Sequence, residues 1–137
     1  MIEKGKVCVL IDDDDDDQLI FSTTLNKYFP EYAFMSFSSF TKAQEVLNDH
    51  ANDIGAVFID LNMPRVDGKE SLTLLRENPM FEKTPLIIYS TSNNPDDVNE
   101  CLKNGATAFI TKPSKIVTLI DELSNFFLPS EELKLKG

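Results

Sequence analysis

The chain has 137 residues, 42% of them apolar and 26% charged, with a formal net charge of −10 at pH 7. That length and balance fit one globular domain with its own core and exclude a disordered chain. The negative charge argues against nonspecific binding to nucleic acid or to an anionic membrane surface, both of which recruit Lys and Arg.

The first apolar run, Val7 to Ile11, stops in six consecutive aspartates at positions 12–17. An uninterrupted apolar run reads as a strand buried on both faces, and its end in carboxylates reads as a strand opening on a solvent-filled crevice. Six like charges repel one another unless a cation sits among them. Mg²⁺, hard and oxygen-seeking, is the natural one; a solvated acidic turn without function is the competing reading. Phe21, Thr24, Leu25, Tyr28 and Phe29 then recur at helical spacing, and Pro30 marks the helix end. Residues 33–37 form a second strand, and Ala43, Val46 and Leu47 a second helical stripe. The lone His50, with Asp49 and Asp53 nearby, reads as a surface histidine at a helix end rather than a metal ligand. Residues 55–59 are a third strand, and Leu72, Leu75 and Arg76 lie in a third helix. Residues 85–89 are a fourth strand. Asn94-Pro95-Asp96 starts the next helix with Pro95 at its first position; Val98, Cys101 and Leu102 follow, and Gly105 ends it. Residues 106–111 are the fifth strand. Ile116, Leu119, Ile120, Leu123 and Phe127 mark the last helix, with Pro129 near its end and a polar segment at 130–137.

Five strands alternating with five helices imply right-handed crossovers and a parallel sheet: an α/β fold with helices on both faces. Residues 1–137 are read as one domain, with a core of about 7–128 and a polar end at 129–137. Cys8 and Cys101, far apart and in apolar context, are read as reduced thiols. No signal pattern opens the chain and no apolar run approaches the ~18 residues of a membrane span, so a cytoplasmic location is expected.

In an open parallel sheet, the working crevice lies beyond the carboxyl ends of the strands. The first strand ends at Asp12 and Asp13, the third at Asp60, the fourth at Ser90 and Thr91, and the fifth at Lys112-Pro113. Three acids, a hydroxyl and a lysine on one rim are the parts needed for phosphoryl transfer.

With Ile11-Asp12-Asp13, Asp60-Leu61-Asn62-Met63-Pro64, Asp67-Gly68, Ser90-Thr91 and Lys112-Pro113 in order, the chain resembles the receiver (CheY-like) domain of two-component response regulators from about Val7 to Phe127. The resemblance implies a flavodoxin-like sheet of order 2-1-3-4-5. It implies that Asp60 accepts a phosphoryl group from a sensor histidine kinase or phosphotransfer protein. It also implies that the domain catalyses only its own phosphorylation and dephosphorylation, and is otherwise not an enzyme. Asp12, Asp13, Asp60 and the main-chain carbonyl of Asn62 would hold Mg²⁺ or Mn²⁺. Lys112 would pair with Asp60 at rest and with a phosphoryl oxygen afterwards, Ser90 would hydrogen-bond another, and the Thr91 amide would assist. Pro113 matches a family proline that follows a cis peptide bond. Phe109 stands where the family has an aromatic switch, with plain core at even odds.

Asp14 is placed at the edge of the site, and Asp15, Asp16 and Asp17 at the helix start, where carboxylates meet the helix dipole favourably. Ser92 and Asn62 are candidates to tune the access of water. One rival is a phosphohydrolase of the haloacid dehalogenase type using Asp12; it leaves Asp60 unexplained and places its late acidic pair, Asp121-Glu122, in a helix. Another is a receiver-like module that is never phosphorylated. The expected chain is a stand-alone receiver acting through protein contacts, as a monomer or a phosphorylation-dependent homodimer, with no nucleic acid or membrane partner.

Overall fold

The structure, a computed structural model, describes residues 5–128. The strands are β1 (Val7–Ile11), β2 (Ala33–Phe37), β3 (Ile54–Ile59), β4 (Leu86–Ser90) and β5 (Ala108–Thr111). The helices between and after them are α1 (Asp15–Tyr28), α2 (Phe40–Leu47), α3 (Gly68–Glu77), α4 (Pro95–Lys103) and α5 (Ile116–Leu123). All strand pairs are parallel, in the order β2-β1-β3-β4-β5. The α/β architecture is the one expected, and β1 and β2 have the expected limits. The other strands move by one or two residues; β5 starts at Ala108 because Ala106 and Thr107 complete the turn from α4, with the Ala106 N–H on the Cys101 carbonyl.

Alternate residues of the central strands feed two cores, as the two-residue period of a strand requires. Val7, Val9, Ile11, Val57, Ile59, Leu86 and Ile88 face α2, α3 and α4. Cys8, Leu10, Phe58, Ile87, Tyr89 and Ile110 face α1 and α5. The second core is aromatic: Phe21 packs edge-on to Phe58 at 5.0 Å and to Tyr89 at 5.6 Å. Phe127 is buried beside Tyr32, beyond the end of α5 rather than within it. Both cysteines are free and buried, and burial raises the pKa of each thiol. His50 ends a 3₁₀ turn at Asn48–His50, half-buried. Pro129 and the polar end lie outside the described residues.

Side-chain caps set the helix starts that frame the crevice. Asp14, Ser39, Asp67 and Asn94 each accept a main-chain N–H from the first turn of α1, α2, α3 and α4. Such caps satisfy amide groups that no helical carbonyl reaches. Gly105, at φ +108°, supplies the left-handed residue that lets the chain leave α4 for β5.

Candidate functional site

The last main-chain bonds between neighbouring strands fix the backbone of the site. The Asp12 N–H donates to the Phe37 carbonyl at 2.9 Å, the Asp60 N–H to the Ile11 carbonyl at 2.8 Å, and the Lys112 N–H to the Ser90 carbonyl at 2.7 Å. These bonds tie the ends of β2, β1 and β3 to one another and that of β5 to β4, and the side chains that follow β1, β3, β4 and β5 open into one crevice.

Asp12 and Asp60 are buried, Asp13 is exposed at the mouth, and the three carboxylates offer oxygens that all lie within 4.8 Å of one another. Burial, and then the Asp12 charge, push the Asp60 carboxyl up to about 7. Burial also raises Asp12, against the pull of the Asp14 N–H and of Lys112. The Lys112 side chain is nearly covered. Burial alone would lower its pKa, but the neighbouring carboxylates of Asp17 and Asp12 outweigh that and raise it. Its ammonium stands 5.6 Å above the Tyr89 ring.

Ser90 is fully buried, and its Oγ accepts the Ser92 N–H at 3.1 Å, which leaves the hydroxyl proton to donate elsewhere. Thr91 is exposed at the rim. Asn62, exposed in the loop after β3, directs its N–H at Asp60 Oδ1 over 3.4 Å. That loop is tight: Gly68 donates to the Leu61 carbonyl at 2.9 Å, and Arg65 sits at φ +67°. Phe109, half-buried on β5 beside Ile88 of β4, packs on the α2–α3–α4 core.

Two expectations are corrected here, the role of Asp17 and the bond before Pro113. Lys112 does stand against Asp60, its Nζ 3.7 Å from Asp60 Oδ1, but it lies closer to Asp12 Oδ2, at 2.9 Å, and to Asp17 Oδ2, at 2.6 Å. Asp17 is therefore not only a helix-start charge; the third residue of α1 turns back over the end of β1. Asp14 caps α1, receiving the Asp17 N–H at 3.0 Å, and its own N–H donates to Asp12 Oδ1 at 2.9 Å, so it also borders the site. Among the described residues every peptide bond is trans, the Lys112–Pro113 bond included. Asp15 and Asp16 are exposed in the first turn of α1, where they were placed.

Sequence reasoning also passed over Gln18, whose side-chain amide donates to the Asp12 carbonyl, and Tyr89 beneath Lys112. The signal for Gln18 and Asp17 was available once Asp14 is taken as the cap: positions three and four residues later fall on the face of α1 that overlies β1. The Lys69 ammonium ties α3 to α4 through Asp97, at 2.7 Å, and Glu100, and nothing in the local sequence announces it.

The donor set matches a hard divalent cation. All three side chains offer carboxylate oxygen. Asp12 Oδ2 is buried without a well-formed hydrogen bond, although the Lys112 ammonium stands 2.9 Å away. Three clustered carboxylates facing one lysine are hard-oxygen density of the kind that fits Mg²⁺.

The profile of the response regulator receiver domain matches residues 8–124. The chain belongs to the response regulator receiver family. Over 94 residues this receiver is 32% identical to the sensory/regulatory protein RpfC of Xanthomonas campestris pv. campestris, an overlap of 66% of this chain and 13% of that protein. It is 29% identical over 80 residues to the response regulator Rcp1 of Synechocystis, 56% of this chain and 54% of that one. It therefore spans only part of the curated relatives it matches. Among solved structures, chemotaxis protein CheY4 of Vibrio cholerae superposes with a TM-score of 0.79 at 21% identity, covering 93% of this chain and all of that one. A Mn²⁺-bound form of Rcp1 superposes with a TM-score of 0.74 at 23% identity, covering 88% and 90%. These likenesses establish the CheY-like receiver fold. The dehalogenase reading is set aside: the receiver profile spans the sheet, and Asp121 and Glu122 lie within α5 rather than at a strand end. No helix among the described residues is long and apolar enough to cross a membrane.

Proposed function

We propose that Asp60 is the phosphoacceptor of this receiver and that the crevice around it catalyses its own phosphorylation and dephosphorylation. The observation that carries this is the placement of Asp60: a nearly buried carboxylate at the end of β3, bracketed by Asp12, Asp13 and Lys112. An Asp60 oxygen attacks phosphorus, the bond from phosphorus to the donor nitrogen or oxygen breaks, and an acyl phosphate forms. Water later attacks the same phosphorus, releasing inorganic phosphate and restoring Asp60. Lys112 pairs with one phosphoryl oxygen, and the Ser90 hydroxyl donates to another, with the Thr91 amide beside it. Charge placed in advance where it develops is how such sites lower the barrier.

Asp12, Asp13, Asp60 and the Asn62 carbonyl would hold Mg²⁺ or Mn²⁺; the clustering of the three carboxylates supports this, as does the Mn²⁺-bound form of Rcp1 for the kind of cation. Bound there, the cation supplies charge neutralisation among carboxylates that otherwise repel an incoming phosphoryl group. A phosphoryl oxygen on Asp60 that accepts the Ser90 hydroxyl draws that side chain toward it, and Phe109, beside Ile88 in the neighbouring strand, shifts with it, which repacks α4, β5 and α5 for a protein partner.

A sensor histidine kinase or phosphotransfer protein is the donor. Exposed Leu19, Ile20 and Ile116 form an apolar strip on α1 and α5, and Ile20 and Ile116 also line a small cavity that reaches Lys112. A protein seated there lies across the mouth of the crevice. Reading residues 1–137 as a single receiver, active in the cytoplasm through protein contacts, belongs to this proposal.

The test is incubation with acetyl phosphate and Mg²⁺ followed by intact mass. The wild type gains one phosphoryl group and Asp60→Asn gains none. A phosphorylated Asp60→Asn, or an unmodified wild type, contradicts the proposal.

A further inference from the structure

We propose that Asp17 is a positioning residue for Lys112: it holds the ammonium on the α1 side of the crevice, away from Asp60, until a phosphoryl group draws it across. The inference rests on the reading of Asp60 as phosphoacceptor and Lys112 as its cationic partner.

Three carboxylates lie within 4.0 Å of Lys112 Nζ among the described residues, and they are not equivalent. Asp17 Oδ2, at 2.6 Å, accepts a hydrogen bond; Asp12 Oδ2 follows at 2.9 Å; Asp60 Oδ1 stands off at 3.7 Å, beyond hydrogen-bond reach. Asp60 is thus the loosest of the three partners of Lys112, and Asp17 the tightest. Asp17 lies in the first turn of α1, at the end of the helix where the main-chain amides are free. Its carboxylate is not needed for the helix cap, because only its main-chain N–H meets Asp14.

A phosphoryl group on Asp60 therefore competes with Asp17 for the Lys112 ammonium. Asp17 acts as a restraint on the phosphorylated state through Lys112, without touching the reacting atoms. Neutralising it frees the lysine for the phosphoryl oxygens.

The experiment titrates beryllium fluoride, a phosphoryl mimic, into protein saturated with MgCl₂. It compares the wild type with Asp17→Asn, Asp17→Glu and Asp16→Asn. Asp16 lies exposed in the same turn, so its variant removes an equal charge from the helix start without releasing Lys112. Asp17→Asn is expected to bind beryllium fluoride about fivefold tighter, the scale of one partly exposed ion pair. Asp17→Glu restores the wild-type affinity, and Asp16→Asn leaves it within about twofold. In the protein without beryllium fluoride, the side-chain ¹⁵N resonance of Lys112 shifts in Asp17→Asn and stays in place in Asp16→Asn. Equal tightening in Asp16→Asn and Asp17→Asn, or none in Asp17→Asn while the wild type binds, overturns this inference alone. A wild type that takes up no beryllium fluoride overturns the phosphoacceptor reading, and this inference with it.

Discussion

Replacing Asp60 with Asn removes one of three carboxylates whose oxygens crowd within 4.8 Å, at a position that is 6% exposed. In the folded chain that carboxyl is held at about 7 instead of 3.8, so between those two pH values the native state binds more protons than the unfolded chain. Stability must then fall as pH rises through this window, and level off above it. A displacement of that size corresponds to about 4 kcal/mol as an upper bound, at 1.36 kcal/mol per pH unit. Asp12 and Lys112 share the titration, and water reaches the mouth of the crevice through Asp13. We therefore expect Asp60→Asn to be more stable than the wild type by about 1–2 kcal/mol at pH 8 in EDTA. At pH 4, where the native Asp60 is already protonated, the difference shrinks to within about 0.5 kcal/mol. Urea denaturation followed by circular dichroism, with equal m-values for the two proteins, measures both differences. Millimolar Mg²⁺ at pH 8 should stabilise the wild type more than the variant, since a ligand of the native state adds stability by mass action. A variant less stable than the wild type at pH 8, or a difference that is the same at pH 4 and pH 8, would refute the reasoning.

Two further predictions concern the frame around the crevice. The Arg76 guanidinium donates to the carbonyls of Gly105, Phe81, Glu82 and Thr84 at 2.8–3.0 Å, joining α3 to the approaches of β4 and β5. Arg76→Ala should lower stability by about 2–4 kcal/mol in urea, and Arg76→Lys should recover less than half, because an ammonium cannot span four carbonyls; a loss below about 1 kcal/mol would contradict this role. A Cβ on Gly68 would collide with the Asp60 carbonyl and stand 2.6 Å from the Leu61 Cα, both main-chain atoms. Gly68→Ala should therefore cost about 1–3 kcal/mol and weaken Mg²⁺ binding, measured by titration; an Ala variant with wild-type stability and affinity would show that the loop carrying Asp60 is not fixed there.

The sheet was legible because burial on both faces leaves a plain mark: β1, β3 and β4 are nearly continuous apolar runs, and the polar residue that enters the crevice directly follows β1 and β3 and closes β4. Asp12, Asp13, Asp60, Ser90 and Lys112 could be brought together before any coordinates, because a parallel sheet puts all its carboxyl ends on one edge. What stayed hidden depends on side-chain direction. Six identical aspartates gave no local reason to separate Asp14, which caps, from Asp17, which reaches Lys112 from 95 residues away in the chain. The division follows from the helix starting at Asp15, a boundary that a run of equal charges blurs. The preference of Lys112 for Asp17 over Asp60 is a matter of about one ångström. The Lys69 bridge and the Arg76 hub join elements distant in sequence, and neither residue type nor spacing points to its partners.

The central claim is that the covalent chemistry belongs to Asp60 and not to the aspartate run that marks the site. Trapping tests it most directly. After reaction with acetyl phosphate and Mg²⁺, borohydride reduces an acyl phosphate to the alcohol, which converts an aspartyl phosphate to homoserine. Peptide sequencing by mass spectrometry should then find homoserine at position 60 and aspartate intact at positions 12–17. Homoserine within that run, with position 60 unchanged, would contradict the account.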